Sequence, residues 1–286
     1  MAGTAWGLSG TSGQYLMVHG FLALSLTNFR LLVAGLALMA MAYFADPKSF
    51  GQIWKDKQSL VMIFVFALFG LFLNQYAYLE VIHETNAGTA TVLQYLCPVG
   101  ILVYTCIKDK AAPTASEVCS MFLAIGGTFL IATHGQLNQL SMTPKGLLLG
   151  LFSAFTYSLY ILLPIDVIKK WGSMLVIGIG MTMAGILLFP FSSLIQHQWQ
   201  FRLDILFALL GIIVIGTIFA YTVFLKGTSL VGPVKSSLLA SIEPISAVFF
   251  AFLIMNEQFY PIDFLGMAMI LIAVTLISLK DLLLEK

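Results

Sequence analysis

The segment SLLASIEPISAVFFAFL, residues 237–253, places a carboxylate and a proline side by side in an apolar run. Glu243 costs free energy in a dry interior unless a partner satisfies it, and Pro244 removes a backbone hydrogen-bond donor. Apolar residues continue on both sides, and the whole run (about 233–254) is long enough to cross a bilayer. The role of the pair therefore depends on what surrounds this run.

The composition identifies the solvent of the chain as lipid. Of its 286 residues, 59% are hydrophobic and 9% are charged, whereas about 25% are charged in an average soluble domain. A soluble enzyme is excluded, because water could not solvate so apolar a surface, and the lipid bilayer is the expected partner. A net charge of +1 gives no case for a nucleic-acid partner. The three cysteines lie in apolar segments without metal-ligand spacing, so we expect neither a metal nor another cofactor.

Ten apolar runs match the roughly 20 residues that a membrane-spanning helix needs. We therefore predict an all-α integral membrane protein with ten transmembrane helices, numbered here as spans 1 to 10. They lie at about 2–18, 24–45, 58–79, 86–106, 115–134, 145–164, 172–196, 203–225, 233–254 and 260–279. No Lys or Arg precedes span 1, so a cleavable signal is not expected, and its short length suggests a trimmed N-terminal tail.

The basic residues predict the direction of the spans. Eleven of the fourteen Lys and Arg residues fall in the connections after spans 2, 4, 6 and 8 or at the C-terminus. By the positive-inside rule, both termini are expected in the cytoplasm. The four histidines then lie at outer helix ends, as interfacial polar residues or as a pH sensor: His19, His83, His134 and His197.

An internal repeat divides the chain into two five-helix halves, 1–139 and 140–286. VLQYLCPVGILVY in span 4 matches LLASIEPISAVFF in span 9, with Pro98 and Pro244 separated by 146 positions. Gly70 and Gly216 have the same separation. Because five is odd, the second half enters the membrane in the opposite sense, which predicts an inverted repeat.

These features resemble the drug/metabolite transporter superfamily, specifically its EamA-type ten-helix members. The resemblance rests on AWGLSG (residues 5–10), NFRLLVAGLAL (28–38) and LLASIEPISAVFFAFLIMNE (238–257), and it covers essentially the whole chain. It implies a multi-pass secondary transporter of the cell membrane, not an enzyme, that exports a small metabolite. The two halves differ chemically at one position of this motif, since the first-half counterpart of Glu243 is Cys97.

The sequence predicts a role in coupling or as a hinge for three residues: Glu243, Pro98 and Pro244. Both prolines lie about 11 or 12 residues into their spans, near the middle of a ~30 Å hydrocarbon core. Each frees a carbonyl oxygen four residues earlier, which suits either a central transport site or a simple packing kink. Because burial disfavours the charged form of a carboxyl group, Glu243 is either a proton carrier or a neutral group that holds the kink.

Polar and aromatic side chains at membrane depth predict the lining of a central cavity, because such groups are costly unless they face the bundle interior. Helical spacing places them on shared faces of spans 1, 3, 4, 6, 8 and 9. The predicted substrate-binding residues are Trp6, Thr11, Gln14, Arg30, Asn74, Tyr78, Thr91, Gln94, Tyr157, Tyr160, Thr217, Tyr221 and Glu243. Arg30 could instead extend outward to the interface as a structural residue.

One acidic group among several aromatic rings suits an amino acid or an amine, whose ammonium such groups bind. The scarcity of deep cations argues against sugar-phosphate substrates. No GxxxxGK[ST] phosphate loop occurs, so a proton or counter-substrate gradient is the expected energy source.

Two alternatives remain: a lipid-carrier flippase, and an intramembrane protease suggested by GLSG at residues 7–10. We expect a monomer or a homodimer.

Overall fold

A computed structural model of the chain describes residues 1–97, 99–100, 106–107, 110, 112–134, 142–192, 202–224 and 242–284. Within these ranges the fold is all-α and contains no β-strand. Pro98, one of the two predicted hinge prolines, lies outside the described residues. So does the segment 233–241 of predicted span 9.

Twelve helices are numbered here in chain order over the described residues. Their bounds are α1 Ala2–Val18, α2 Ala23–Ala45, α3 Pro47–Ile53, α4 Lys57–Glu84, α5 Ala87–Gln94, α6 Ala115–Thr133, α7 Pro144–Leu162, α8 Ile165–Trp171, α9 Ser173–Leu188, α10 Leu203–Phe224, α11 Ile242–Met255 and α12 Pro261–Leu284. The two seven-residue helices, α3 and α8, lie between longer apolar ones. The predicted spans 1, 2 and 5 agree with α1, α2 and α6 to within a residue or so.

Predicted span 4 is interrupted in the structure, because helix α5 ends at Gln94 and a turn follows at Tyr95 and Leu96 before helical geometry resumes at Cys97. In this turn Leu96 N–H donates to the Leu93 carbonyl at 3.1 Å. A proline at 98 cannot donate to the carbonyl of Gln94. The sequence itself therefore explains why the regular helix stops here.

Five helical segments are long and apolar enough to cross a membrane, within the ranges that the structure describes. They are Ala23–Ala45, Lys57–Glu84, Pro144–Trp171, Ser173–Phe191 and Leu203–Phe224. Large apolar side chains cover their outer faces, for example Phe155 of α7 and Phe207 of α10, which are 58% and 70% exposed. Many hydroxyl groups instead bond a carbonyl of their own helix, as Thr182 does to Gly178 at 2.8 Å. This is how apolar helices carry Ser and Thr without an unsatisfied group.

Two helices contain π-helical segments at matched positions. Phe66–Phe72 interrupts α4, and Gly211–Phe219 interrupts α10. Gly70 and Gly216, which the sequence places 146 positions apart, lie within these segments. The same local distortion thus occurs at equivalent positions of both sequence halves.

Helix contacts follow a symmetric pattern. Helix α2 packs on α9 and α6 packs on α12; α1 contacts α10 and α11, whereas α7 contacts α4 and α5. The α6–α12 crossing is close enough to require glycine, since a Cβ on Gly127 would lie 2.5 Å from the Gly266 carbonyl oxygen. Small residues at such crossings let backbones approach in lipid.

The loop aspartates cap helices outside the apolar segments. Asp46 accepts from the backbone N–H groups of Lys48 and Ser49, both at 3.1 Å, and so caps α3. Asp56 caps α4 and accepts a 2.6 Å hydrogen bond from Lys170 Nζ. The bond from Lys170, with those from Ser59, lowers the pKa of Asp56 well below its ordinary value. This pair joins the loop after α3 to the end of α8.

Candidate functional site

An internal cavity lies where seven helices meet: α1, α2, α4, α5, α7, α10 and α11. Its lining residues are Trp6, Ser9, Arg30, Asn74, Gln75, Tyr78, Gln94, Tyr157, Tyr160, Tyr221 and Glu243. Nine of these eleven are residues that the sequence predicted for substrate binding. The cavity measures about 50 Å³, whereas one water molecule takes about 30 Å³ in the liquid. In this conformation the space is therefore too small for a metabolite larger than a water molecule or two.

The cavity holds two buried ionisable side chains of opposite type. Arg30 is 6% exposed and Glu243 is 7% exposed. Arg30 Nε donates to Thr217 Oγ1 at 2.7 Å, and Glu243 Oε2 accepts from the Tyr95 hydroxyl at 3.1 Å. In the described part of the chain, neither forms an ion pair, so both share a cavity without neutralising each other. Within the same ranges, no three His, Cys, Asp or Glu side chains are grouped to hold a metal ion.

Two predicted threonines lie behind the lining and hold it. Thr217 accepts from Arg30 and donates to the Ile212 carbonyl at 2.9 Å, five residues earlier in the π-helical segment. Thr91 bonds the Tyr78 hydroxyl at 2.7 Å and donates to the Ala87 carbonyl. Both threonines are fully buried. They position a lining side chain instead of facing the cavity themselves.

A pair of amide side chains joins three helices on one wall. Gln94 Nε2 of α5 donates to Asn74 Oδ1 of α4 and to Ser153 Oγ of α7, both at 3.0 Å. Charge-free hydrogen bonds of this kind fix side-chain orientation in a buried site. The wall is thus held in place by residues from both halves of the sequence.

Aromatic rings form another part of the lining. Trp6 packs edge-on against Tyr221, with ring centroids 5.7 Å apart. Tyr221 is in turn edge-on to Tyr160 at 6.2 Å, and Tyr160 stacks on Tyr157 at 5.7 Å. The ring faces and hydroxyl groups give a surface that is both apolar and able to bind a cation.

Two predicted residues of α1 lie away from the cavity. Thr11 is fully buried and its hydroxyl bonds the Gly7 carbonyl of its own helix at 3.3 Å. Gln14 Nε2 donates to Glu257 Oε1 at 2.6 Å, and Gln14 Oε1 accepts from the Ala87 N–H at 2.9 Å. Gln14 therefore connects α1 with the start of α5 and with the segment after α11.

Pro244 borders a different space from its neighbour Glu243. It is buried in α11 and lines an apolar cavity of about 680 Å³ between α11 and α12, together with Val92 of α5. The other walls are mainly phenylalanine and aliphatic side chains, such as Phe249 and Met267. The predicted pair thus separates into a carboxyl group toward the polar cavity and a proline toward an apolar one.

Three residues of the site were missed by the sequence analysis as binding residues. Gln75 lies one turn before Tyr78 on α4, and Tyr95 follows Gln94, so polarity at membrane depth was the signal available for both. Ser9 was considered only as a nucleophile in GLSG. The structure places Ser9 and Gln75 on the cavity wall and Tyr95 against Glu243.

Comparison with known proteins gives a consistent picture. The model of the EamA-like transporter family matches two segments, residues 1–133 and 144–279. The chain is 32% identical over 282 residues to the uncharacterized inner membrane transporter YicL of Salmonella typhimurium, covering 98% of this chain and 94% of that protein. It is 23% identical over 239 residues to an uncharacterized transporter of Archaeoglobus fulgidus, covering 82% and 80%. A solved crystal structure has a similar fold, with a TM-score of 0.62 at 17% identity over 100% of this chain and 98% of that one.

Proposed function

The chain belongs to the EamA-like transporter family and is a multi-pass transporter of the cell membrane, and we propose that it exports a small metabolite such as an amino acid or an amine. Transport is gradient-driven and proceeds by alternating access, with the cavity around Arg30 and Glu243 as the substrate site. Nine of the thirteen predicted residues line this cavity, Thr91 and Thr217 position lining residues, and Thr11 and Gln14 lie away from it.

The observation that carries this proposal is the separation of Arg30 and Glu243 within one cavity. A buried charge without a partner costs several kcal/mol, about 3–5 kcal/mol when one member of a pair is missing. A ligand with a carboxylate and an ammonium supplies the missing partner of each. The rings of Trp6 and Tyr221 add a surface on which the rest of an ammonium-bearing molecule can rest. An amine engages Glu243 and the rings, and leaves Arg30 unpaired.

Ten spans in two inverted halves, 1–139 and 140–286, with cytoplasmic termini, complete the proposed architecture. The paired family matches, the symmetric helix contacts and the π-helical segments at Gly70 and Gly216 support it. In this arrangement the cavity lies between the halves, as in transporters built from inverted repeats. Rocking of one half against the other opens it to each side in turn.

The bonds of Gln14 close the outward side in this scheme. Gln14 lies near the outer end of span 1, and its partners Ala87 and Glu257 belong to the outer ends of spans 4 and 9. Export requires these bonds to break once per cycle, so that the substrate can leave. A single amide held by two hydrogen bonds is a modest barrier, since each contributes about 0.5–1.5 kcal/mol.

Glu243 couples transport to protons in the proposed cycle. Substrate ammonium and a proton compete for the same carboxyl group, so that uptake of one accompanies release of the other. Its first-half counterpart, Cys97, is not acidic under ordinary conditions. The exchange therefore occurs once per molecule.

Reconstituted protein tests this function directly. Proteoliposomes with an imposed pH gradient should accumulate at least one member of a panel of amino acids and amines. Glu243→Gln keeps the shape and the hydrogen bond from Tyr95 but removes titration, so uphill transport should be lost while exchange at equal pH remains. Glu84→Gln is the matched control, since Glu84 pairs with the exposed Lys145 outside the cavity. Glu243→Gln protein that still transports uphill with unchanged pH dependence would leave Glu243 a structural residue.

A second candidate function, movement of a lipid-linked substrate, is favoured by the apolar cavity beside Pro244. Its volume of about 680 Å³ suits an acyl chain, and the polar cavity lies on the other side of α11. The two functions differ in their dependence on substrate lipidation. Movement of a lipid-linked sugar across the bilayer of the proteoliposomes, with no uptake of free amino acids, would favour the flippase.

A further inference from the structure

Among the residues that line the cavity in the described chain, Gln75 is the one whose buried side-chain polar atoms have no hydrogen-bond partner. Its side chain is buried, at 4% exposure, and both amide atoms, Oε1 and Nε2, lack a partner among the described residues. Gln75 lies on the cavity wall with Arg30 and Glu243. A buried polar group in this state costs free energy relative to a paired one.

The neighbouring polar groups have internal partners. Asn74 accepts from Gln94, Tyr78 bonds Thr91 and Glu243 accepts from Tyr95. The amide of Gln75 is thus a buried polar group beside the cavity that the fold leaves without a partner. Packing alone does not explain it, because a methionine of similar length would fill the same volume without an unpaired donor and acceptor.

A primary amide offers a donor and an acceptor in one plane. The carboxylate of an α-amino acid can accept from Nε2 while its ammonium donates to Oε1. An amine without a carboxylate can use only Oε1 and leaves Nε2 unpaired. A site built to bond both groups rejects an analogue that lacks one of them.

We propose that Gln75 is a specificity-determining residue that makes the cavity select zwitterionic amino acids over amines and over simple carboxylic acids. This inference rests on the proposed transport of small amino compounds, and it adds a residue to which no role had been assigned. Arg30 and Glu243 recognise the charges of the ligand, and Gln75 requires that both charges be on one molecule, side by side.

Ligand binding by Gln75→Met protein in nanodiscs tests this role. The probes are leucine, phenylalanine and lysine, each compared with the amine that lacks its α-carboxylate and the acid that lacks its α-ammonium. Wild-type protein should bind at least one amino acid at least tenfold more tightly than either analogue, which corresponds to about 1.4 kcal/mol or more. Gln75→Met should reduce this preference severalfold while the affinity for the amine stays within about threefold.

Thr27→Val is the matched control. Thr27 Oγ1 is also buried without a partner in the described chain, but Thr27 does not line the cavity. Both substitutions remove an unpaired polar group, so the unfolding temperature of the empty protein should stay equal or rise in both. Only Gln75→Met should change ligand selectivity.

Three outcomes would overturn the inference. A preference for the amino acid that is unchanged in Gln75→Met assigns the selectivity to other residues, although the proposed function then stands. A lowered unfolding temperature with equal loss for all probes makes Gln75 a structural residue. Wild-type protein that binds none of the probes rejects the proposed function itself, and the inference with it.

Discussion

The Arg30→Met variant tests whether the guanidinium of Arg30 binds the substrate or only holds helices together. The side chain is 6% exposed, and within the described chain its hydrogen bond goes to Thr217. A hydrogen bond to a charged group contributes about 1.5–3 kcal/mol, and each 1.4 kcal/mol changes Kd about tenfold. Loss of one such bond to a substrate carboxylate should therefore raise the Kd for an amino acid by about 10- to 150-fold. Because the variant also removes an unpaired buried charge, the empty protein should unfold at the same or a higher temperature.

Calorimetric titration in nanodiscs measures both effects, with leucine and 3-methylbutylamine as the ligand pair. The amine has no carboxylate, so its Kd should change less than about threefold in Arg30→Met. Arg202→Met is the control, since that side chain is 55% exposed and pairs with Asp204 at 2.6 Å. Arg30→Met protein that binds leucine like the wild type would refute the assignment. Equal loss of both ligands together with a lower unfolding temperature would show that Arg30 is structural.

Three further predictions concern the frame around the cavity. Gln14→Leu should open the predicted outer side of the cavity. A cysteine introduced at Ser9 should then react at least severalfold faster with an external thiol reagent, and an unchanged rate of labelling would contradict the closing role of Gln14. Gly266→Ala places a Cβ 2.7 Å from the Gly127 carbonyl oxygen and should destabilise the protein by about 1–3 kcal/mol, whereas an unchanged unfolding temperature would show that α6 and α12 separate freely. Because the pKa of Asp56 is lowered in the folded state, its stabilising contribution is fully present above the unfolded pKa of about 3.9 and decreases as pH falls toward the lower folded-state pKa. Asp56→Asn should therefore lower the unfolding temperature more at pH 7 than at pH 3, and an equal effect at both would exclude this linkage.

The sequence predicted the apolar helices well, because a bilayer imposes both their length and their composition. The run at 24–45 became Ala23–Ala45, and the one at 115–134 became Ala115–Thr133. It also predicted a distortion of span 4 at Gln94, because Pro98 cannot donate to the carbonyl four residues earlier, and the regular helix ends there. That Pro98 and Pro244 lie at the same depth in the membrane stays a prediction.

The cavity was harder to predict, because helical spacing identifies a face but not the helix that it meets. Tyr78 and Thr91 were both assigned to the lining, yet their mutual hydrogen bond leaves only Tyr78 on the wall. Gln14 contacts Glu257, which lies 243 positions away in the sequence. A pattern of neighbouring residues cannot predict a contact between positions so far apart. Gln75 was passed over beside Asn74, since adjacent residues of an ideal helix point about 100° apart. A π-helical segment just before them changes where each of them faces.

The π-helical segments of α4 and α10 also allow a rotary motion of the cavity wall. A π turn contains about one residue more than an α turn, and one residue of an α-helix corresponds to a rotation of about 100° and a rise of about 1.5 Å. If Phe66–Phe72 returned to α geometry, the part of α4 that follows would turn and shift by about those amounts relative to the part before. Asn74 and Gln75 would turn together by this angle, so that different residues of α4 would face the cavity, although no helix need tilt. The lining of α4 can thus change by rewinding a single turn, and Gly211–Phe219 gives α10 the same freedom on the other side.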